Sequence, residues 1–455
     1  MDFSYLYSRQ HKYYMTGATR PYEFRIDALK KLKTALQTWE TRISQALFLD
    51  LHKHPTEAYM SEIGIVIEEI SFHEKHLKRW MKNKFVPTPL TQFKSTCFIS
   101  PEPYGSVLIA SPWNYPVHLC LVPLVGAISA GNCAVLKPSA QTKETSKIIA
   151  EMIADTFAPD YITVAECSRK DADILFDQPW DYIFFTGSAD AAQKILTTAA
   201  KYLTPVSTEL GGKSPAIVDM SADIKLAAKR IAFGKVLNAG QTCVAPDYLF
   251  IHKSVKNKFI REYSNALNGF FPDDNHDDMV HIVNKRHYER VKGLLSDAGN
   301  IEIGGGFDDR INFIEPTLIT GINPTDRIMN EEVFGPILPV MTYTNINTVI
   351  EYITSQPKPL ALYLFTKNRN VEKKILSKCS FGGGCVNDVI MHIATSYMPF
   401  GGIGLSGHGS YHGKKSFETF SHFRSIMRKA NWIDLPMRYM PYKKLNDKII
   451  KFFMR

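Results

Sequence analysis

The chain has no cysteine framework: its seven cysteines are an odd number, with no C-x-x-C pair and no regular spacing. That excludes a disulfide scaffold and predicts a reducing compartment, the cytoplasm. It has no apolar segment of the signal-peptide kind after Met1-Asp2-Phe3-Ser4-Tyr5, which is polar and aromatic. Its only long run without charge, Pro103 to Leu136, is interrupted by Pro112, Asn114, Pro116, His118, Pro123 and Asn132. Such a run fits a buried α/β core better than a membrane span. Internal repeats and low-complexity segments are absent. The net charge of +9 is spread along the chain, so it favours small anionic ligands and predicts no nucleic-acid partner. Metal ligands are scarce too. His73 and His76, in His73-Glu74-Lys75-His76, lack further ligands and read as a solvated helix face, so no metal is expected.

A chain of 455 residues has room for two or three domains with large cores, and 45% hydrophobic with 22% charged residues is an ordinary globular composition. From Arg20 to about Lys82 apolar residues recur at three and four (Ile26, Leu29, Leu32, Leu36; Ile63, Val66, Ile67, Ile70), a helical pattern. Phe93 to Pro101 reads as a strand near a sheet edge. Strands then alternate with helices: Ser106 to Ala110, a helix at Leu119 to Ser129, Cys133 to Leu136, a helix from about Thr142 to Phe157, Tyr182 to Phe185, a helix at Ala189 to Ala200, then Pro205 to Glu209 and Ala216 to Val218. This alternation predicts βαβ units and a parallel sheet. A second alternation, with helices at about 224–237, 254–270 and 285–297 and strands near 246–251, 337–342 and 360–365, places a domain boundary close to Gly211-Gly212.

Two glycine motifs mislead. Gly402-Ile403-Gly404-Leu405-Ser406-Gly407 matches G-x-G-x-x-G, but it follows Met398-Pro399-Phe400-Gly401 rather than a strand and opens no helix. Gly212-Lys213-Ser214 imitates the end of a P-loop, yet Ser207 stands where the first glycine belongs.

The stretch that carries chemistry is Asn238-Ala239-Gly240-Gln241-Thr242-Cys243-Val244-Ala245-Pro246. Small neighbours leave the thiol open to an electrophilic carbon, and a nearby base or field is expected to lower its pKa from about 8.5. A lone cysteine is ordinarily structural. Four other segments supply what this one lacks. Glu209 offers a carboxylate at a strand end beside Gly211 and Gly212. Asn114 offers an amide donor in a proline-closed turn. Lys137 sits between a buried strand and a helix start, suited to ribose or phosphate. Glu332-Val333-Phe334-Gly335-Pro336 adds a carboxylate and an aromatic ring.

In this order the segments closely resemble the aldehyde dehydrogenase superfamily over roughly Arg20 to Arg424. The matches are Pro112-Trp113-Asn114, Lys137-Pro138-Ser139, Phe185-Thr186-Gly187-Ser188, Glu209-Leu210-Gly211-Gly212-Lys213-Ser214-Pro215, Gly240-Gln241-Thr242-Cys243, Glu332-Val333-Phe334-Gly335-Pro336 and Met398-Pro399-Phe400-Gly401-Gly402. The absent long N-terminal arm, Cys243-Val244-Ala245-Pro246-Asp247-Tyr248 and Gly409-Ser410-Tyr411-His412-Gly413-Lys414 resemble the class 3 branch, which is dimeric and takes medium- and long-chain aliphatic or aromatic aldehydes. The resemblance implies an α/β fold: a Rossmann-like cofactor-binding domain over 1–210 (with about 85–102 joining a small β oligomerisation element), a second α/β catalytic domain over 211–395, a return and oligomerisation segment over 396–440, and a basic tail over 441–455.

It also implies roles. Cys243 attacks the aldehyde, Asn114 and the Cys243 N–H hold the oxyanion, and Glu209 activates the water that hydrolyses the thioester. NAD or NADP lies against Trp113, Gly187, Ser188 and the helix start Ala189, Asp190, Ala191 and Ala192. Lys137 faces the adenosine ribose, Glu332 and Phe334 the nicotinamide ribose, and Gly211 lets the chain come close. One departure stands out: Ala140 replaces a glutamate that grips the adenosine ribose in many members, so NAD and NADP are expected to be accepted comparably. Two other readings compete. An acylating enzyme passes the acyl group to coenzyme A, but such relatives often lack the carboxylate of Glu209. A catalytically silent relative conflicts with retention of Cys243, Glu209 and Asn114. In the tail, Lys443, Lys444, Lys448, Lys451 and Arg455 alternate with Leu445, Ile449, Ile450, Phe452 and Phe453. This basic amphipathic pattern is expected to dangle or to pack on a dimer partner rather than to touch a membrane.

Overall fold

The computed structural model describes residues 3–296, 299–442 and 444–454. Two parallel-rich sheets form its body. The first runs, in spatial order, Gly407–His408, Val206–Leu210, Tyr182–Gly187, Ser106–Ala110, Cys133–Lys137 and Ile162–Val164. All its pairs are parallel except the short Gly407–His408, which returns antiparallel beside Val206–Leu210. Its central strand Ser106–Ala110 is buried throughout, as a parallel strand covered by helices on both faces must be. The helix His118–Ala130 behind it is buried at every position, which explains the long uncharged run.

The second sheet runs Asn300–Ile303, Thr317–Thr320, Ile337–Tyr343, Tyr248–His252, Pro215–Val218, Ala361–Phe365 and Gly383–Val386. The chain passes from one sheet to the other between Leu210 and Pro215, so the Gly211-Gly212 turn sits at the junction. A third, three-stranded sheet joins Lys84–Val86, Ser95–Pro103 and Ser421–Lys429.

Several expectations need correction. The strand expected near an edge over Phe93 to Pro101 is observed as Ser95–Pro103, the middle strand of its sheet: Ser421–Lys429 pairs along its whole length, from Ser421 opposite Pro103 to Lys429 opposite Ser95. The helical stretch from Arg20 is not continuous. Helix Tyr22–Leu51 ends where His52 turns left-handed (φ 55°), and the chain resumes as Pro55–Ala58, a π-helical turn Tyr59–Ile63 and helix Gly64–Trp80. His73 is fully buried, not solvated: its ring nitrogens meet Ser129 Oγ at 2.6 Å and Glu69 Oε1 at 3.1 Å. An N-terminal helix Ser4–Met15, not foreseen, buries Leu6, Gln10 and Tyr14. The helix expected over 285–297 spans Lys285–Gly293, and residue 297 lies outside the described residues. In the tail, helix Lys444–Phe453 exposes Phe452 and Phe453. Lys443, Arg455 and the Leu445 side chain lie outside the described residues. No described helix is long and apolar enough to cross a membrane.

Candidate active site

Helix Ile224–Val236, capped by the Asp223 side chain on the Leu226 N–H, ends in a tight turn. There Asn238 (φ 52°), Ala239 (φ 50°) and Gly240 (φ 68°) are left-handed in succession. A Cβ on Gly240 would stand 2.3 Å from the Gly335 carbonyl oxygen, so this position excludes any side chain for reasons of space as well as of φ. The turn is held by side-chain amides. Asn238 Nδ2 donates to Asn114 O (2.9 Å) and Gln241 O (3.0 Å), and Gln241 Nε2 donates to Asn238 O (3.1 Å) and His281 O (3.0 Å). Tyr363 donates its hydroxyl to Val244 O. The result is a rigid shelf that presents Cys243.

Cys243 opens onto a cavity of ≈ 760 Å³ at the junction of the two large sheets, shared with Trp113, Asn114, Glu209, Glu332 and Phe334. Gly187, Ser188, Ala189, Asp190 and Gly211 line it as well. Lys137, Ala140, Ala191 and Ala192 lie outside that lining. Ala192 faces the core, Ala140 is exposed, and the Lys137 ammonium donates to Pro138 O at 3.4 Å. Burial lowers the pKa of Lys137, and Cys167 partly opposes this. Gln141, next to Ala140, spends its side-chain oxygen on Asn284 Nδ2 at 2.9 Å.

The electrostatics correct one expectation. No base or field lowers the Cys243 thiol; burial pushes it up to about 12, with the charges of Glu332 and Glu209 adding to the rise. The backbone N–H groups of Cys243 and Val244 oppose the shift. Glu209, at the end of strand Val206–Leu210 and opposite Gly407, is buried with neither carboxyl oxygen hydrogen-bonded. Burial raises its pKa well above the ordinary range, and the Gly402 N–H, turned toward it, only softens the effect. Glu332 is raised to about 8 by burial and then by Asp247. At neutral pH the Cys243 thiol and Glu332 therefore keep their protons, and the thiol stays in its neutral form.

Asn114 Nδ2 donates one hydrogen to Gln241 O at 3.0 Å and keeps a second for another acceptor. Helix Ala189–Ala199 begins at the cavity, with Ser188 as its cap on the Ala191 N–H; its free first-turn N–H groups suit a phosphate. Glu332 lies so close to Gly211 that a Cβ there would stand 2.3 Å from its Oε2. These groups fit a dinucleotide: an anion site at a helix start, bare glycine backbone at Gly211 and the Glu332 carboxyl beside it. No described strand–turn–helix uses the Gly402–Gly407 motif, although Ser406 and Leu405 join the wall.

Arg290 and His287 are among the lining residues that escaped the sequence reading. Arg290 donates to the carbonyls of Glu332 (3.0 Å) and Val333 (2.8 Å), and His287 lies against the Trp113 ring, centroids 4.9 Å apart. Both sit on helix Lys285–Gly293, whose basic pattern reads as a solvated face; their spacing of three was the only available signal.

Comparison with known proteins agrees with this geometry. The profile described as the aldehyde dehydrogenase family matches residues 9–426. A 4,4'-diaponeurosporen-aldehyde dehydrogenase of Staphylococcus aureus is 44% identical over 444 residues, 97% of each chain. Aldehyde dehydrogenase family 3 member B1 of Mus musculus is 41% identical, over 95% of this chain and 93% of that one. The solved substrate-bound state of Staphylococcus aureus AldH superposes with a TM-score of 0.97 at 43% identity, covering 99% of each chain. The chain belongs to the aldehyde dehydrogenase family and is an oxidoreductase of that family.

Proposed function

We propose that this enzyme oxidises apolar aldehydes, of medium to long chain or aromatic, to carboxylic acids with NAD or NADP, through a thioester on Cys243 that water hydrolyses. The observation that carries this reading is the meeting of Cys243, Asn114 and an unpartnered, buried Glu209 in one cavity. The relative named for 4,4'-diaponeurosporen-aldehyde supports a large apolar substrate.

The residues act in a definable order. The Cys243 thiol gives up its proton to water in the cavity, and the thiolate attacks the carbonyl carbon as the carbonyl π bond opens onto oxygen. The free hydrogen of Asn114 Nδ2 and the Cys243 N–H receive the developing oxyanion, each such donor being worth roughly 3 kcal/mol of barrier. A nicotinamide cofactor bound against Gly187, Ser188, Glu332 and Phe334 supplies the hydride acceptor. Glu209 then takes a proton from water that attacks the thioester. In its ionised form the raised pKa makes it a stronger base than an ordinary carboxylate. Retention of this carboxyl favours hydrolysis over transfer to coenzyme A. The test is Glu209→Gln: a burst of reduced cofactor followed by slow steady turnover is expected. Fast acyl transfer to coenzyme A by the native enzyme, with negligible hydrolysis, would establish the acylating reading instead.

A cytoplasmic location and a homodimer complete the proposal. Seven unpaired cysteines support the first, and the third sheet, reaching Lys429 through the long Ser421–Lys429 strand, offers an edge for the second. Light scattering that gives a monomer mass, or recovery of the native protein outside the cytoplasm, would overturn them. The tail helix is proposed to meet the dimer partner; pelleting with anionic liposomes that is abolished by deleting residues 443–455 would contradict this.

A further inference from the structure

Behind the Cys243 shelf lies a cluster of charge that the reaction as described does not use. Lys53 and Glu62 form an ion pair at 2.7 Å with both side chains fully buried. The Lys53 ammonium also stands 4.4 Å from the centre of the Tyr115 ring, and the Tyr115 hydroxyl meets Thr242 Oγ1 at 2.7 Å, one residue before Cys243. Glu62 Oε2 accepts the N–H groups of Val117 and His118, each at 3.0 Å. These open helix His118–Ala130, where first-turn N–H groups have no partner within the helix. Glu57 Oε1 accepts the Asn238 N–H at 2.8 Å, at the first of the three left-handed residues.

Glu57 and Glu62 are five apart, so on a regular α-helix they would point some 140° away from each other. The π-helical turn Tyr59–Ile63 brings them to one side: the Gly64 N–H bonds to the Tyr59 carbonyl, five residues back. Gly64 permits the turn, since a Cβ there would stand 2.9 Å from that same oxygen. One widened turn thus aims two carboxylates at the two loops that must stay in register, the Asn114 loop and the Cys243 loop. The left-handed conformations of Asn238 and Ala239 are unfavourable in themselves and persist only where their surroundings determine them. The Glu57 acceptor and the Asn238 amide bonds do so.

We propose that Lys53, Glu57 and Glu62 are positioning residues for the reaction: from the π-turn they lock the oxyanion-binding amide of Asn114 and the nucleophile Cys243 in register. The inference rests on the reading of Cys243 as nucleophile given above. Neither carboxylate touches the cavity wall, so their effect passes through the loops.

The experiment compares Glu57→Leu, Glu57→Gln and the native enzyme. Leucine keeps the bulk and removes the acceptor, and the loops relax. The expected result is a fall of about 100-fold in kcat, the scale of a small misplacement at a reacting centre. Iodoacetamide should label Cys243 more slowly, while affinity for the cofactor, measured by fluorescence titration, stays at the native value. Glutamine, which keeps an acceptor oxygen, restores most of the rate. If Glu57→Leu does not fold, Tyr115→Phe carries the test: it removes one oxygen from the Lys53–Tyr115–Thr242 link and should slow turnover about tenfold, the worth of a buried hydrogen bond. Native kcat and labelling rate in Glu57→Leu, or in Tyr115→Phe where it stands alone, would overturn the inference. So would equal loss of kcat and cofactor affinity, which marks a purely structural role. A native enzyme that neither turns over aldehyde nor is labelled at Cys243 would instead overturn the nucleophile assignment.

Discussion

Raising the pH on the cofactor-free enzyme is a direct probe of the neutral thiol. With the Cys243 thiol held up at about 12, the thiolate fraction grows tenfold per pH unit across the neutral range. With no change in neighbouring charge, labelling by iodoacetamide should therefore rise by about 100-fold from about pH 7 to about pH 9, without a plateau. Glu332 shapes the curve. It carries its proton below about 8 and becomes a like charge beside the thiolate above that, so the native curve should bend below unit slope there. Glu332→Gln removes the bend. If the like charge is worth roughly one pKa unit, about 1.4 kcal/mol, the variant reacts about tenfold faster than native above the bend and equally fast at neutral pH. Pulsed labelling with peptide mass spectrometry reads Cys243 separately from the other six cysteines. A native plateau below about pH 9 would show a lowered thiol and refute the reasoning, as would identical curves for native and variant at every pH.

Gly240→Ala should cost about 2–3 kcal/mol, from the left-handed φ and the approach to the Gly335 oxygen together; a thermal midpoint equal to native would contradict it. For the cofactor, kcat/KM with NAD and with NADP should agree within about tenfold. Ala140→Glu should then depress the NADP value by about 10- to 150-fold through charge repulsion and a new grip on the ribose. Native rejection of NADP by more than about 100-fold would show that the missing carboxylate has no consequence. Gln141 is not a ready substitute, because Asn284 occupies its oxygen.

The parallel alternation was legible at strands such as Ser106–Ala110, Cys133–Lys137 and Tyr182–Gly187, each a short apolar run between turn residues, whereas Ile162–Val164, Asn300–Ile303, Thr317–Thr320 and Gly383–Val386 were not foreseen. Cys243 and Glu209 were legible as candidates through the small residues and glycines around them and Asn114 through its proline-closed turn, and the family resemblance joined the three. What stayed hidden depends on partners distant in sequence. Ser95–Pro103 became a middle strand only because Ser421–Lys429 covers its second side. His73 reads as polar and solvated until Ser129 and Glu69 are seen to enclose it. The N-terminal helix Ser4–Met15 is short and mostly polar, and Gln10 docks it on the first sheet by donating to Ala134 O at 2.7 Å. The direction of the thiol shift escaped for the same reason: local sequence shows small uncharged neighbours, whereas the burial that raises it, and then the carboxyls of Glu332 and Glu209, come from distant segments. The π-turn carries no compositional mark beyond Gly64.

The central claim is covalent catalysis at Cys243, and the most direct measurement is the mass of the enzyme caught during turnover. Glu209→Gln, mixed with aldehyde and oxidised cofactor and quenched in acid, should gain the mass of one acyl group, located on Cys243 by peptide mapping. Cys243→Ala should show no adduct and no turnover while still binding cofactor. Substantial turnover by Cys243→Ala, or an acyl group mapped to any other cysteine, would contradict the account.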